Sequence, residues 1–123
     1  MIWLSRDDFE KRYPPRVPSA DLLDERRSSV LRGDVTIDSD TALRAVIGGN
    51  VTVRSGVQLN FHGVIKGSLT VEPGGTAYVK GVVKRNLHLG GSALVEGVVG
   101  KDVRLNRGAE LSIEGVVKGR VRE

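Results

Sequence analysis

Gly63-Val-Ile-Lys-Gly-Ser-Leu-Thr-Val71 is the stretch that decides the fold, because its words return at near-constant spacing from Gly33 to the end of the chain. The first half comes back as Gly81-Val-Val-Lys84, Gly97-Val-Val-Gly100 and Gly115-Val-Val-Lys118. The second half belongs to a series of alternating triplets: Val35-Thr-Ile37, Val51-Thr-Val53, Leu69-Thr-Val71, Leu87-His-Leu89 and Val103-Arg-Leu105. The units are Gly33–Gly48, Gly49–Lys66, Gly67–Lys84, Arg85–Gly100 and Lys101–Lys118, each of 16 or 18 residues, with a stub at Gly119–Glu123. A fixed period with period-two alternation inside it is the mark of a solenoid of short strands, one coil per repeat.

A finer beat runs beneath the long one. Apolar residues recur every six positions at Ile47, Val53, Leu59, Ile65, Val71, Ala77, Val83 and Leu89. After a two-residue deletion around Gly90-Gly91 the beat resumes at Ala93, Val99, Leu105, Leu111 and Val117. Three hexads per coil predict an all-β, triangular parallel β-helix of about five coils, with three short strands per turn. Successive strand residues point to opposite faces, so Val51, Val57, Leu69, Leu87, Val103 and Ala109, two positions before a beat, share its interior. Glycines such as Gly63, Gly81 and Gly97 are expected at corners, where positive φ or close backbone approach is needed.

Composition agrees. Sixteen glycines, two Phe, two Tyr and one Trp leave few bulky residues for a globular centre, and Val, Leu and Ile favour the pleated surface of a sheet. The chain has no cysteine, which excludes disulfides, thiolate chemistry and Cys-based zinc sites. Its start, Met1-Ile-Trp-Leu-Ser-Arg-Asp-Asp8, lacks a secretory pattern, so a cytoplasmic protein is expected. A net charge of +4 is compatible with acidic proteins, anionic lipid or nucleic acid and singles out none of them.

The outward positions repeat as well. If Ile65 points in, Val64 and Lys66 point out. Stacking then gives a column of Val46, Val64, Val82, Val98 and Val116 beside a column of Lys66, Lys84 and Lys118. Five aliphatics in line form an apolar stripe of the kind that marks a partner surface, or else good sheet filler. The lysines read as a guard against lateral pairing of sheets.

The Gly-x-Val-x-Gly-x-Leu-x-Val phrase, repeated at coil spacing over Gly33 to Glu123, resembles the bactofilins. That resemblance implies a right-handed triangular β-helix, end-on assembly into non-polar filaments without nucleotide, and a bacterial cytoskeletal role. Bactofilin cores often carry a C-terminal aromatic that helps polymer contacts. Here the only phenylalanines are Phe9 and Phe61, and the chain stops at Val121-Arg-Glu123.

Residues 1–32 differ in kind and form a separate segment from the repeat domain, 33–123. Ser5 followed by Asp8 is a capping-box-like start for a helix over Arg6–Tyr13, with Phe9 and Tyr13 on one side and Pro14-Pro15 as a stop. Ser19 is placed to cap a second helix over Ala20–Arg27. Neither is long enough to stand alone. The segment is expected to fold over the first coil and cover its open edge. Trp3, Leu4 and Phe9 are also candidates for contact with another protein or a membrane surface, although Asp7 and Asp8 would be repelled by anionic lipid. With no visible cap at the other end, coil-on-coil pairing there, including Val121, is the expected self-contact.

No enzyme is expected. The hexad beat also matches left-handed acyltransferase helices, but the two histidines offer little. His88 lies between Leu87 and Leu89 and faces outward, and His62 is the sole conceivable base. There is no phosphate-binding glycine loop and no metal-ligand spacing, so no cofactor is expected. Specific nucleic-acid binding lacks interleaved aromatics. The leading expectation is a non-catalytic scaffold that forms a dimer or filament with itself; the rival is a small dedicated protein-binding module, such as an immunity or antitoxin-type inhibitor.

Overall fold

The computed structural model describes residues 2–3, 5–14 and 29–122. The second helix expected over residues 20–27, and Leu4, lie outside these. In chain order the elements are β1 (Ile2–Trp3), α1 (Arg6–Arg12), β2 (Ser29–Leu31), β3 (Val35–Ile37), β4 (Thr41–Ile47), β5 (Val51–Val53), β6 (Gln58–Ile65) and β7 (Leu69–Val71). They continue as β8 (Thr76–Val83), β9 (Leu87–Leu89), β10 (Ser92–Val99), β11 (Val103–Leu105), β12 (Glu110–Val117) and β13 (Val121–Arg122). All pairing is parallel, in two sheets. The long strands stack as β1-β12-β10-β8-β6-β4-β2, and the short ones as β13-β11-β9-β7-β5-β3. The result is a β-solenoid of about five turns.

Each coil therefore has two strands rather than the expected three. In β6, β8 and β10 a glycine inside the long strand joins two hexads. Gly63, Gly81 and Gly97 carry φ values of 142°, 133° and 144°, and the strand bends there while keeping its pairing with the neighbouring coils. One continuous ladder thus serves two of the three hexads.

The beat marks the core. Leu31, Ile47, Ile65, Val83, Val99 and Val117 are register partners one above another. Val51, Leu69, Leu87 and Val103 form a second column. A further column, Phe61, Val79 and Val95, is also fully buried; it continues the alternation of the long strand past Leu59, Ala77 and Ala93.

The corners are held differently. One carries a ladder in which a side-chain oxygen accepts a backbone N–H from the next coil. Asn50 N–H donates to Asp34 Oδ1 at 2.8 Å, Ser68 N–H to Asn50 Oδ1 at 2.8 Å, and Asn86 N–H to Ser68 Oγ at 3.3 Å. Asp102 N–H then donates to Asn86 Oδ1 at 3.1 Å, and Arg120 N–H to Asp102 Oδ1 at 2.8 Å. Another corner is a tight turn closed by Val57 N–H to Arg54 O, Gly75 N–H to Glu72 O and Ala109 N–H to Asn106 O. The fourth coil lacks that turn and passes through Gly90-Gly91, where Ser92 N–H reaches Gly75 O directly. The two-residue deletion is absorbed there without disturbing the strands.

The described start of the amino-terminal segment, β1 and α1, does not lie on the first coil as expected. β1 adds to the last long strand, with Ile2 opposite Glu110 and Trp3 opposite Leu111, so it sits at the carboxy-terminal end of the solenoid rather than on the first coil. Ser5 caps α1 as anticipated, its hydroxyl accepting Asp8 N–H at 3.2 Å. The helix then runs along the outer face of the seven-stranded sheet, and Gln58 Nε2 donates to Pro14 O at 3.3 Å. The repeat itself begins at β2, ahead of Gly33.

Candidate interaction surfaces

Three surfaces stand out. The first is the valine stripe. Register pairing places Val46, Val64, Val82, Val98 and Val116 in one column and adds Val30 at its start. The middle four are partly exposed, while Val30 and Val116 are 75% and 56% exposed. Sequence reasoning missed Val30 because residues 1–32 were set apart from the repeat, although Ser29-Val-Leu31 has the pattern of Ala45-Val-Ile47. Lys66, Lys84 and Lys118 follow the stripe at a corner and are exposed, each donating its N–H to the previous coil at Ile47 O, Ile65 O and Val99 O.

The second surface is covered by the chain itself. Phe9 is fully buried between Tyr13 and Tyr78, with ring centroids 5.1 Å and 5.5 Å away, and packs with Leu94. Phe9 is therefore not an outward contact, as the sequence had suggested, but the anchor that holds α1 on the sheet. Around it Arg6 Nη1 meets Glu96 Oε1 at 2.8 Å, Arg12 Nη1 meets Glu110 Oε1 at 3.2 Å, and Tyr13 Oη donates to Glu110 Oε2 at 2.7 Å. A cavity of about 140 Å³ remains beneath the helix, lined by Arg6, Glu10, Asn60, Tyr78, Lys80 and Glu96 among others. The Tyr78 hydroxyl is buried without a hydrogen-bond partner. Burial, with a smaller effect of the Glu10 charge, pushes its pKa up to about 12. Tyr78 and Leu94 were not singled out from sequence; their signal was two apolar residues at outward strand positions in adjacent coils.

The third surface is the pair of solenoid ends. Leu31, Val35 and Leu43 at one end, and Ile113, Val117 and Val121 at the other, pack on the core yet remain partly exposed. Val121 pairs with Val103 through β13. Trp3 is paired through its backbone in β1.

Among the described residues no group of three His, Cys, Asp or Glu side chains is arranged to hold a metal ion. His88 stacks between Thr70 and Arg104 on the outer face of the short-strand sheet. Among the described residues no helix is long and apolar enough to cross a membrane. Comparison with protein-family models, curated proteins and solved structures gives no match.

Proposed function

We propose that this chain is a non-catalytic, bactofilin-like scaffold of the cytoplasm that associates with further copies of itself through the ends of its solenoid. The observation that carries this reading is the state of those ends. Among the described residues the aliphatic core does not close at either one: Leu31, Val35 and Leu43, and Ile113, Val117 and Val121, are left partly exposed. Strands with unpaired backbone groups beside an apolar surface are templates for pairing. The C-terminal aromatic of many bactofilins is not needed for this contact, because the aliphatic columns supply the apolar surface. Sedimentation velocity of the full chain over a wide concentration range tests the proposal. An average mass that rises with concentration is expected; a single protomer at every concentration would overturn it.

A second reading, a dedicated protein-binding module, is favoured by the unbroken stripe from Val30 to Val116. A Val64→Glu/Val82→Glu variant distinguishes the two. Loss of a stoichiometric partner with self-association intact supports the module, whereas loss of neither removes it.

A further inference from the structure

We infer that the two solenoid ends are complementary halves of one joint, so that copies stack head to tail with the β12–β13 end of one against the β2–β3 end of the next. This rests on the self-association reading and specifies its geometry. It also departs from the non-polar filament that the bactofilin resemblance implies, because a head-to-tail stack has a direction.

Register carries the first part. From Ile47 to Val51, Ile65 to Leu69, Val83 to Leu87, Val99 to Val103 and Val117 to Val121, the step from long strand to short strand is the same. Leu31 to Val35 repeats that step. Placing Val117 beside Leu31 of a second copy therefore places Val121 beside Val35, and both sheets continue without a slip. A one-residue slip would turn every side chain to the wrong face, so agreement in two sheets at once is a strong constraint. The same register sets Val116 beside Val30 of the second copy. These are the two exposed large hydrophobics among the described residues, and their meeting makes the valine stripe continuous.

Shape carries the second part. β1 covers only Glu110 and Leu111 of β12. β2 covers only Ala45–Ile47 of β4. Among the described residues, the outer sides of Ile113–Val117 and of Thr41–Leu43 have no strand partner. Among the described residues each end is thus a step one strand deep, and the steps face opposite halves. In the stack, β2 of the second copy lies on Gly115–Val117, while β1 falls beside Thr41 of that copy. The amino-terminal strand is then half of the joint and not a stopper.

The corner ladder shows where the columns meet. The register sets Arg120 of the last coil beside Asp34 of the second copy, both exposed, and sets Lys118 beside Arg32. The corner ladder that runs from Asp34 ends at Arg120, which has no side-chain oxygen to extend it. Across the joint Arg120 stands next to Asp34 of the second copy in this column, while the Asp34 carboxylate accepts Asn50 N–H of its own next coil.

Two full-length variants test the joint. Val35→Asp spoils one end and Val121→Asp the other, because each carboxylate would be buried in the contact. A second pair at exposed positions, Val30→Asp and Val116→Asp, repeats the test without touching the core, with circular dichroism checking the fold. Each variant alone is expected to sediment as a protomer, and an equal mixture of the two complementary variants to give a species of twice the protomer mass and nothing larger. Dimers of either variant alone mean that like ends join. A protomeric mixture, with the parent still assembling, means that the ends are not the contact. Either overturns the joint. A parent chain that never assembles overturns the self-association reading itself.

Discussion

The α-carbon of Gly81 lies against the carbonyl oxygen of Gly63, so close that a Cβ on residue 81 would overlap that oxygen. The same contact joins Gly63 to Ala45, Gly97 to Gly81 and Gly115 to Gly97. In β6, β8 and β10 it coincides with a positive φ at the glycine, and the ladder stays closed across it.

A Gly81→Ala substitution should therefore cost at least about 3 kcal/mol, combining backbone strain with overlap in a packed column. Gly108, at φ 85° in an open turn with nothing within 4 Å of a Cβ, should lose only about 1 kcal/mol on the same change. Urea unfolding of the two variants separates them. Equal losses would mean that the bend does not depend on close stacking.

Phe9→Ala should release α1 and leave the solenoid standing. A helix of seven residues has little stability of its own, and Phe9 supplies its fully buried contact with Tyr78 and Leu94. Amide exchange over residues 6–12 should rise toward the unstructured rate, with β6, β8 and β10 unchanged. Unaltered protection in α1 would show that the ion pairs to Glu96 and Glu110 suffice.

Tyr78 gives a pH dependence of definite sign. Its folded pKa is pushed up to about 12 by burial, against about 10 in an unfolded chain. Between those values the unfolded chain releases a proton that the folded chain keeps, so stability falls as pH rises through the window. Below it Tyr78 contributes no slope. Tyr78→Phe should remove this part of the alkaline loss and cost little at neutral pH, because the hydroxyl has no hydrogen-bond partner. Identical urea midpoints for parent and variant across the window would contradict the assignment.

At the corner ladder, Asn50→Ala should cost about 1 kcal/mol by removing the acceptor for Ser68 N–H. Asn50→Asp should cost much less, since aspartate already fills this rung at positions 34 and 102. Thermal denaturation of both variants checks the pattern; equal losses would mean that the amide donors of Asn50, not its oxygen, matter.

Much of this was legible in the chain. Ile47, Ile65, Val83 and Val99 announce the stack because an aliphatic in every sixth place has no simpler use. Phe61, Val79 and Val95 were less legible, since treating each hexad as its own strand hides a third inward position in a strand that bends at glycine. The docking end of the amino-terminal segment was not legible. A two-residue strand can pair with any open edge, and only three-dimensional proximity brings Ile2 and Trp3 to Glu110 and Leu111. The burial of Phe9 follows from the same docking.

The axial repeat of any assembly formed by the full chain, read from electron micrographs, tests end-on association most directly. The six long-sheet layers from β2 to β12, each about 4.8 Å, give an expected repeat of about 29 Å in a head-to-tail stack. A repeat near double that length would mean that like ends meet, and fields of isolated protomers at high concentration would contradict end-on association altogether.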